Sequence, residues 1–172
     1  VQRCYQSLKE NLTDREIILL TFENIEQYVT FPDHILKKWR AGVITHTHMT
    51  DLLRLELLIK YGGMWIDATV FCSQKREEIP DYFFDSDLFF FQNLKPGRDG
   101  KSTYISSWLI SAKTNNRILM ATRELCYKYW EKNNTMVDYF LLHQFMSIVL
   151  EYYPEEWNKV IPRDNAMPHV LF

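Results

Sequence analysis

The sequence predicts an α/β domain, and three features carry that prediction. Residues 16–22 (EIILLTF) and 88–93 (LFFFQN) are continuous apolar runs, the pattern of strands covered on both faces. Between them, at 46–72 (HTHMTDLLRLELLIKYGGMWIDATVFC), a helical stretch runs through a Gly-Gly corner into a strand. Towards the end, stretches at about 116–132 and 137–153 carry apolar residues at the spacing of helices that cover a sheet. With 172 residues, 47% hydrophobic and 15% aromatic, the chain reads as one domain with enough apolar surface for a core.

Residues 1–11 (VQRCYQSLKEN) read as a helix and 16–22 as the strand after it. A Pro-Asp break at 32–33 precedes HILKKWRAG, a helix ending at Gly42. His46 and His48 alternate in a segment read as extended, but two imidazoles without a third ligand make an incomplete metal site, so lining a cleft or plain exposure is expected. Thr50 can cap the next helix, with Asp51 in its first turn near the positive end of the dipole and no breaker from Leu52 to Tyr61. Gly62 then closes it as a left-handed cap. Beyond Gly63, MWIDATVFC reads as a strand with Trp65, Asp67, Thr69 and Phe71 on one face and Met64, Ile66, Ala68 and Val70 on the other. Asp51 and Arg54, three apart, can meet on one helix face, where an ordinary weak surface pair is the competing reading. Asp67 is harder to read as structure alone, because an unpaired carboxylate in an apolar strand is expensive and needs a partner, a metal or a role.

The run Thr-Asp-Leu-Leu-Arg, followed by Tyr-Gly-Gly-Met-Trp-Ile-Asp-Ala-Thr, resembles the DXD-type sugar-transferase family, and more closely its capsular polysaccharide synthesis branch. Glucosylating bacterial toxins carry a similar Asp-x-x-Arg helix, Gly-Gly corner and acidic strand end. The likeness fixes five polar or glycine positions across 17 residues, 51 to 67. It implies a GT-A-like fold, a nucleotide-sugar-binding sheet flanked by helices, with the donor across the carboxyl ends of the strands. It also implies that Asp51 and Arg54 contact the transferred sugar, and that Asp67, first acid of the DXD, holds ribose and a divalent cation, Mn²⁺ or Mg²⁺, on the diphosphate. Thr69 stands in the second acid's place, and a hydroxyl is a poor substitute for a charged oxygen. The capsular branch resembles this Asp-Ala-Thr version, so the expectation is a variant site whose metal dependence stays open. Proteins of this fold usually open with a strand that cradles the base. This chain opens with valine and a helix, so the expectation is a piece of a longer protein lacking its first strand.

After the strand, Asp85-Ser-Asp87 is a literal D-x-D, but it precedes its strand, whereas α/β ligand sites gather beyond the carboxyl ends; a turn is the better reading. LKPGRDGK (94–101) carries turn signals and predicts a mobile loop, a plain surface turn being favoured over a lid. STYISSWLISAK (102–113) reads as a strand, where Trp108 offers a sugar ring an aromatic face and a packed core tryptophan competes evenly. The helix at 137–153 contains Asp138 and His143, and the resemblance extends to both. A favourable charge at a helix start, worth about 0.3–1 kcal/mol, competes for Asp138, and a satisfied core histidine for His143. Both nonetheless stand as candidate catalytic groups, because sites of this family draw a further group from late in the chain. The tail from Pro154 is expected to wrap back, so that Arg163, Asp164 and His169 reach the diphosphate.

A net charge of −2 gives no sign of a nucleic-acid surface. Cys4, Cys72 and Cys126 are too widely spaced for a zinc site or disulfide framework, which suits a reducing compartment. No stretch reads as a signal peptide or membrane span, so sequons at Asn11 and Asn133 carry little weight. The expected location is cytoplasmic, with peripheral association to a membrane-bound polysaccharide assembly. Glycosyl transfer leaves negative charge on a nucleoside diphosphate, which a cation or basic side chain must stabilise, and it relies on positioning for much of the rest. The expectation is a retaining glycosyltransferase moving a sugar from a nucleotide-sugar donor to a glycan acceptor. The rivals are a non-catalytic carbohydrate- or nucleotide-binding module with a degenerate site, and a structural subunit that borrows the fold.

Overall fold

The computed structural model describes residues 1–93 and 105–169. The predicted loop at 94–101 and residues 102–104 lie outside them. In chain order the elements are α1 (Gln2–Asn11), α2 (Asp33–Arg40), α3 (His46–Tyr61), β1 (Gly63–Ile66), α4 (Tyr82–Asp85), β2 (Leu88–Gln92), β3 (Ile105–Ala112), α5 (Arg117–Lys132), α6 (Leu141–Tyr152) and α7 (Pro154–Trp157), with short 3₁₀ turns between some of them.

The three strands form one sheet in the order β1-β3-β2, and both pairings are antiparallel. This is a mixed α/β domain, as expected. One sheet face, with Phe90, Ile110 and Ala112, packs into the main core with Leu55 of α3, Ile118 and Trp130 of α5 and Met146 of α6. The reverse face, with Phe89, Phe91 and Leu109, packs against Tyr82 and Phe83 of α4 and against Met64 and Ile66. Burial on both faces is why β2 reads as a continuous apolar run.

Helix α3 begins earlier than its sequence suggests. Thr45 caps it, accepting from the His48 N–H at 3.4 Å, while the Thr50 hydroxyl donates to the His46 carbonyl at 2.8 Å. Asp51 therefore leaves the first turn and becomes a buried residue of the second. At the other end the Gly62 N–H reaches the Leu58 carbonyl at 3.0 Å, but with φ 67° and ψ −153°. The positive φ is the predicted one; the ψ puts Gly62 in a region that glycine alone occupies readily rather than in the left-handed helical cap.

The strand predicted over 64–72 stops at Ile66. Asp67 makes the last rung, its N–H donating to the Trp108 carbonyl at 2.8 Å, and the chain then turns, Val70 N–H to Asp67 carbonyl at 3.0 Å. The cause is a competing set of partners on α1. The Cys72 N–H donates to Ser7 Oγ at 2.9 Å, and the Asn11 side-chain amide donates to the Cys72 carbonyl at 2.8 Å.

Residues 16–22 form no strand. Ile18, Leu19 and Phe22 are 46%, 41% and 58% exposed, and the run shares with β1 the lining of a cavity of about 580 Å³. An apolar run becomes a strand only with a ladder partner, and none of the described strands pairs with it. The helix predicted from 137 begins at Leu141, because Asp138 caps the turn ahead of it, accepting from the Phe140 N–H at 2.7 Å.

A Cβ on Gly62 would lie 3.1 Å from both the Ala112 carbonyl oxygen and the Thr114 nitrogen, whereas one on Gly63 meets nothing within 4 Å. Gly62→Ala is expected to cost at least about 2 kcal/mol of unfolding free energy and Gly63→Ala clearly less, by denaturant titration. Equal losses would contradict the role given to the corner.

Candidate functional site

Helix α3 and the exit of β1 bring Asp51, Arg54 and Asp67 together. Arg54 is the centre: its Nη2 lies 3.2 Å from Asp51 Oδ1 and 3.8 Å from Asp67 Oδ1, and its Nη1 donates to the Ser107 carbonyl of β3. The guanidinium also lies over the Trp65 ring, 5.1 Å from its centroid, and the Trp65 indole N–H donates to Asp67 Oδ1 at 2.7 Å. Asp51 and Arg54 are 7% and 4% exposed, so the pair is not the loose surface pair of the competing reading, and charge-assisted bonding in this setting is strong. The Asp67 side chain is 36% exposed and faces the 580 Å³ cavity, which His46, Thr47 and Thr50 also line.

Burial pushes the Asp51 carboxyl up to about 6; the charge of Arg54 pulls the other way and that of Asp67 adds to the rise. His143 of α6 is pushed down to about 4, first by burial and then by the Arg54 charge, against the opposing effect of Asp138. The two late candidates are thus within electrostatic reach of each other, and His143 within reach of Arg54. The His143 Nδ1 is buried with no hydrogen-bond partner among the described residues.

Other candidates separate from this group. Thr69 is exposed in the turn after Asp67 rather than on a strand, and it lines the same cavity as Asp67. Trp108 supports Asp67 through its carbonyl, while its ring stacks on Phe91 at 5.0 Å and 12° and its indole N–H donates to Asn165 Oδ1 at 2.8 Å. The tail adds to the outer edge of β2, where Arg163 donates to the Tyr82 hydroxyl at 2.6 Å and Asp164 accepts from the Ala166 N–H at 2.8 Å. Neither is drawn to Asp67. Asp87 pairs with Lys113 at 2.7 Å before β2, in keeping with a turn role. His46 and His48 lie in a helix rather than an extended segment; His48 is buried, 5.9 Å from the Trp130 ring centre.

Among the described residues no three His, Cys, Asp or Glu side chains come together as a metal cage. The donor set fits a different arrangement. With both carboxylates ionised the three central side chains sum to −1, and Asp67 Oδ2 carries no hydrogen bond or ion pair among the described residues. A cation that brings most of its ligands with it, as Mg²⁺ does on a diphosphate, would find one carboxylate oxygen there. Sequence reasoning missed the role of Trp65, although its place two residues before Asp67 on one strand face was the available signal. Arg54 as the link between both acids was also missed, because the i, i+3 pairing hides the long-range contacts.

The family of capsular polysaccharide synthesis proteins matches residues 1–172. The O-glycosyltransferase braB of Annulohypoxylon truncatum is similar at 29% identity over 118 residues, covering 63% of this chain and 27% of the relative. The chain thus spans about a quarter of the length of that protein. No solved structure matches.

The two shifted groups oppose one another. Asp51 stabilises the fold most below its ordinary value of 3.8, and that contribution is lost as pH rises through about 6. The neutral His143 contributes above its ordinary value of 6.5, and that is lost as pH falls through about 4. Relative to wild type, Asp51→Asn should therefore lose stability more steeply from pH 6.5 to 4.5, and His143→Gln should gain stability over the same range. Urea unfolding at several pH values checks both; parallel curves would show that the groups do not titrate as described.

Proposed function

The chain belongs to the capsular polysaccharide synthesis protein family, and from that membership we propose that it is a glycosyltransferase that moves a sugar from a nucleotide-sugar donor to a glycan acceptor. The observation that carries the proposal is Arg54 held between two carboxylates on the wall of the large cavity. An acidic cluster with a fixed guanidinium offers acceptors and donors in set directions, which suits a ring of sugar hydroxyls. Asp51 and Arg54 would hold the transferred sugar, and Asp67 would meet the ribose or a divalent cation riding on the diphosphate. When bound, that cation would offset charge on the departing diphosphate.

The reaction is proposed to retain anomeric configuration, the acceptor hydroxyl attacking on the face from which the diphosphate leaves. Asp51 is buried and paired with Arg54, and Asp67 is held at Oδ1 by Arg54 and Trp65, so the reading gives both carboxylates a binding role rather than that of a covalent nucleophile. Asp138 and His143 are the acceptor-side candidates. His143 is neutral at pH 7 with its Nδ1 buried, so its part would be to position the acceptor side rather than to touch the incoming hydroxyl.

The finer fold reading is a GT-A-like nucleotide-sugar-binding sheet flanked by helices. The donor would lie in the cavity, against Thr47, Thr50 and Asp67 of its lining. None of the described helices is long and apolar enough to cross a membrane. The reading puts the protein in the cytoplasm, at the periphery of a polysaccharide assembly. A non-catalytic binding module is the second reading, and the hydroxyl of Thr69 in place of a second acid on the cavity lining favours it.

The test is proton NMR of UDP- and GDP-sugars with an acceptor panel, using this chain. Transfer or slow hydrolysis with retained configuration is expected, reduced at least about a hundredfold by Arg54→Met. A folded chain that binds donor without turnover would establish the binding module instead, and an inverted product would overturn the retaining course.

A further inference from the structure

Trp65 and Asp67 stand two residues apart where β1 ends, and three interactions converge between them and Arg54. The indole N–H reaches Asp67 Oδ1 at 2.7 Å; Arg54 Nη2 lies 3.8 Å from the same oxygen; and the guanidinium carbon is 5.1 Å from the indole ring centre. Both polar contacts fall on Oδ1. The Asp67 side chain is otherwise 36% exposed, and Oδ2 has no partner among the described residues. The indole itself has little freedom to turn aside, since its ring packs against both the main core and the smaller cluster of Ile25, Val29 and Leu53.

We infer that Trp65 is a positioning residue that fixes the Asp67 carboxylate and presents a single oxygen, Oδ2, to whatever binds there. This rests on the reading of Asp67 as a donor-site acid. A carboxylate free to rotate can grip a cation with both oxygens, an arrangement that large cations such as Ca²⁺ accept. One pinned by a hydrogen bond at Oδ1 offers a one-oxygen contact, which suits the smaller octahedral shells of Mg²⁺ and Mn²⁺. The indole thereby selects between ions without touching them. The same pinning directs Oδ2 at a single hydroxyl when a sugar or ribose is the partner. A phenylalanine in this position would keep an aromatic face under Arg54 and lose only the donor.

Two measurements on the folded chain test the inference. The first needs no ligand: in ¹H–¹⁵N spectra the Trp65 indole N–H, assigned by its loss in Trp65→Phe, should shift and exchange faster with solvent in Asp67→Ala. An indole signal unchanged by Asp67→Ala would overturn the inference outright. The second is titration of UDP and GDP in Mn²⁺ and in Ca²⁺. Trp65→Phe is expected to narrow the preference for Mn²⁺ by at least about tenfold, the scale of one lost hydrogen bond to a charged group. Equal weakening with both ions would mean that Trp65 only packs. If wild type binds neither nucleotide with either ion, the donor-site reading fails, while the indole spectra still decide whether Asp67 is pinned.

Discussion

One buried guanidinium sets the terms for the rest of the site. Arg54 lies 4% exposed on α3, with Asp51 one turn away, Asp67 at the exit of β1 and the Ser107 carbonyl on β3. A charge so placed must be matched or it destabilises the fold by several kcal/mol, and removing one partner of a buried pair typically costs about 3–5 kcal/mol. The demand for partners ties together the helix, the central strand and the acidic strand end. The Gly-Gly corner is the backbone counterpart: Gly62 passes so close to the Ala112 carbonyl and Thr114 that a side chain would push β1 off β3 and carry Asp67 away from Arg54.

The same arrangement explains why this group of charges has chemical potential beyond stability. Two acids on one base leave an excess of negative charge beside a cavity, and burial holds the Asp51 carboxyl near 6, so its charge varies close to neutral pH. Such a site disfavours a bare diphosphate and favours hydroxyl groups or a cation. A nucleotide-sugar arriving with a divalent ion supplies both. On the proposed reading the pinned Asp67 would meet the ligand, with Arg54 on the cavity lining and Asp51 buried behind it.

Much of this was legible in the sequence where local rules decide. The spacing of Asp51, Arg54, Gly62, Gly63 and Asp67 gave the helix, the corner and the acids, because each depends on helical pitch or on a glycine-only backbone. The buried runs of β2 and β3 and the helix from Arg117 were likewise plain. What failed depended on partners distant in the chain. Residues 16–22 have strand composition and no ladder partner. The segment after Asp67 leaves the sheet because Ser7 and Asn11 of α1 compete for its backbone. Arg163 and Asp164 looked free to reach a diphosphate, but their neighbours on β2 and α4 hold them at the opposite edge of the sheet. Thr69 was placed on the face of Asp67 by strand alternation; it lines the same cavity, but from the turn closed by Val70 rather than from a strand.

The most direct test of the account is isothermal titration of UDP- and GDP-sugars into the wild-type chain and its Asp67→Ala variant, with and without Mn²⁺, after circular dichroism has shown both to be folded. The account predicts binding of at least one donor that requires Mn²⁺ and weakens at least about a hundredfold in the variant, the scale of a lost charged ligand contact. Donor binding of equal strength in both proteins would contradict it, because Asp67 would then have no part in the site.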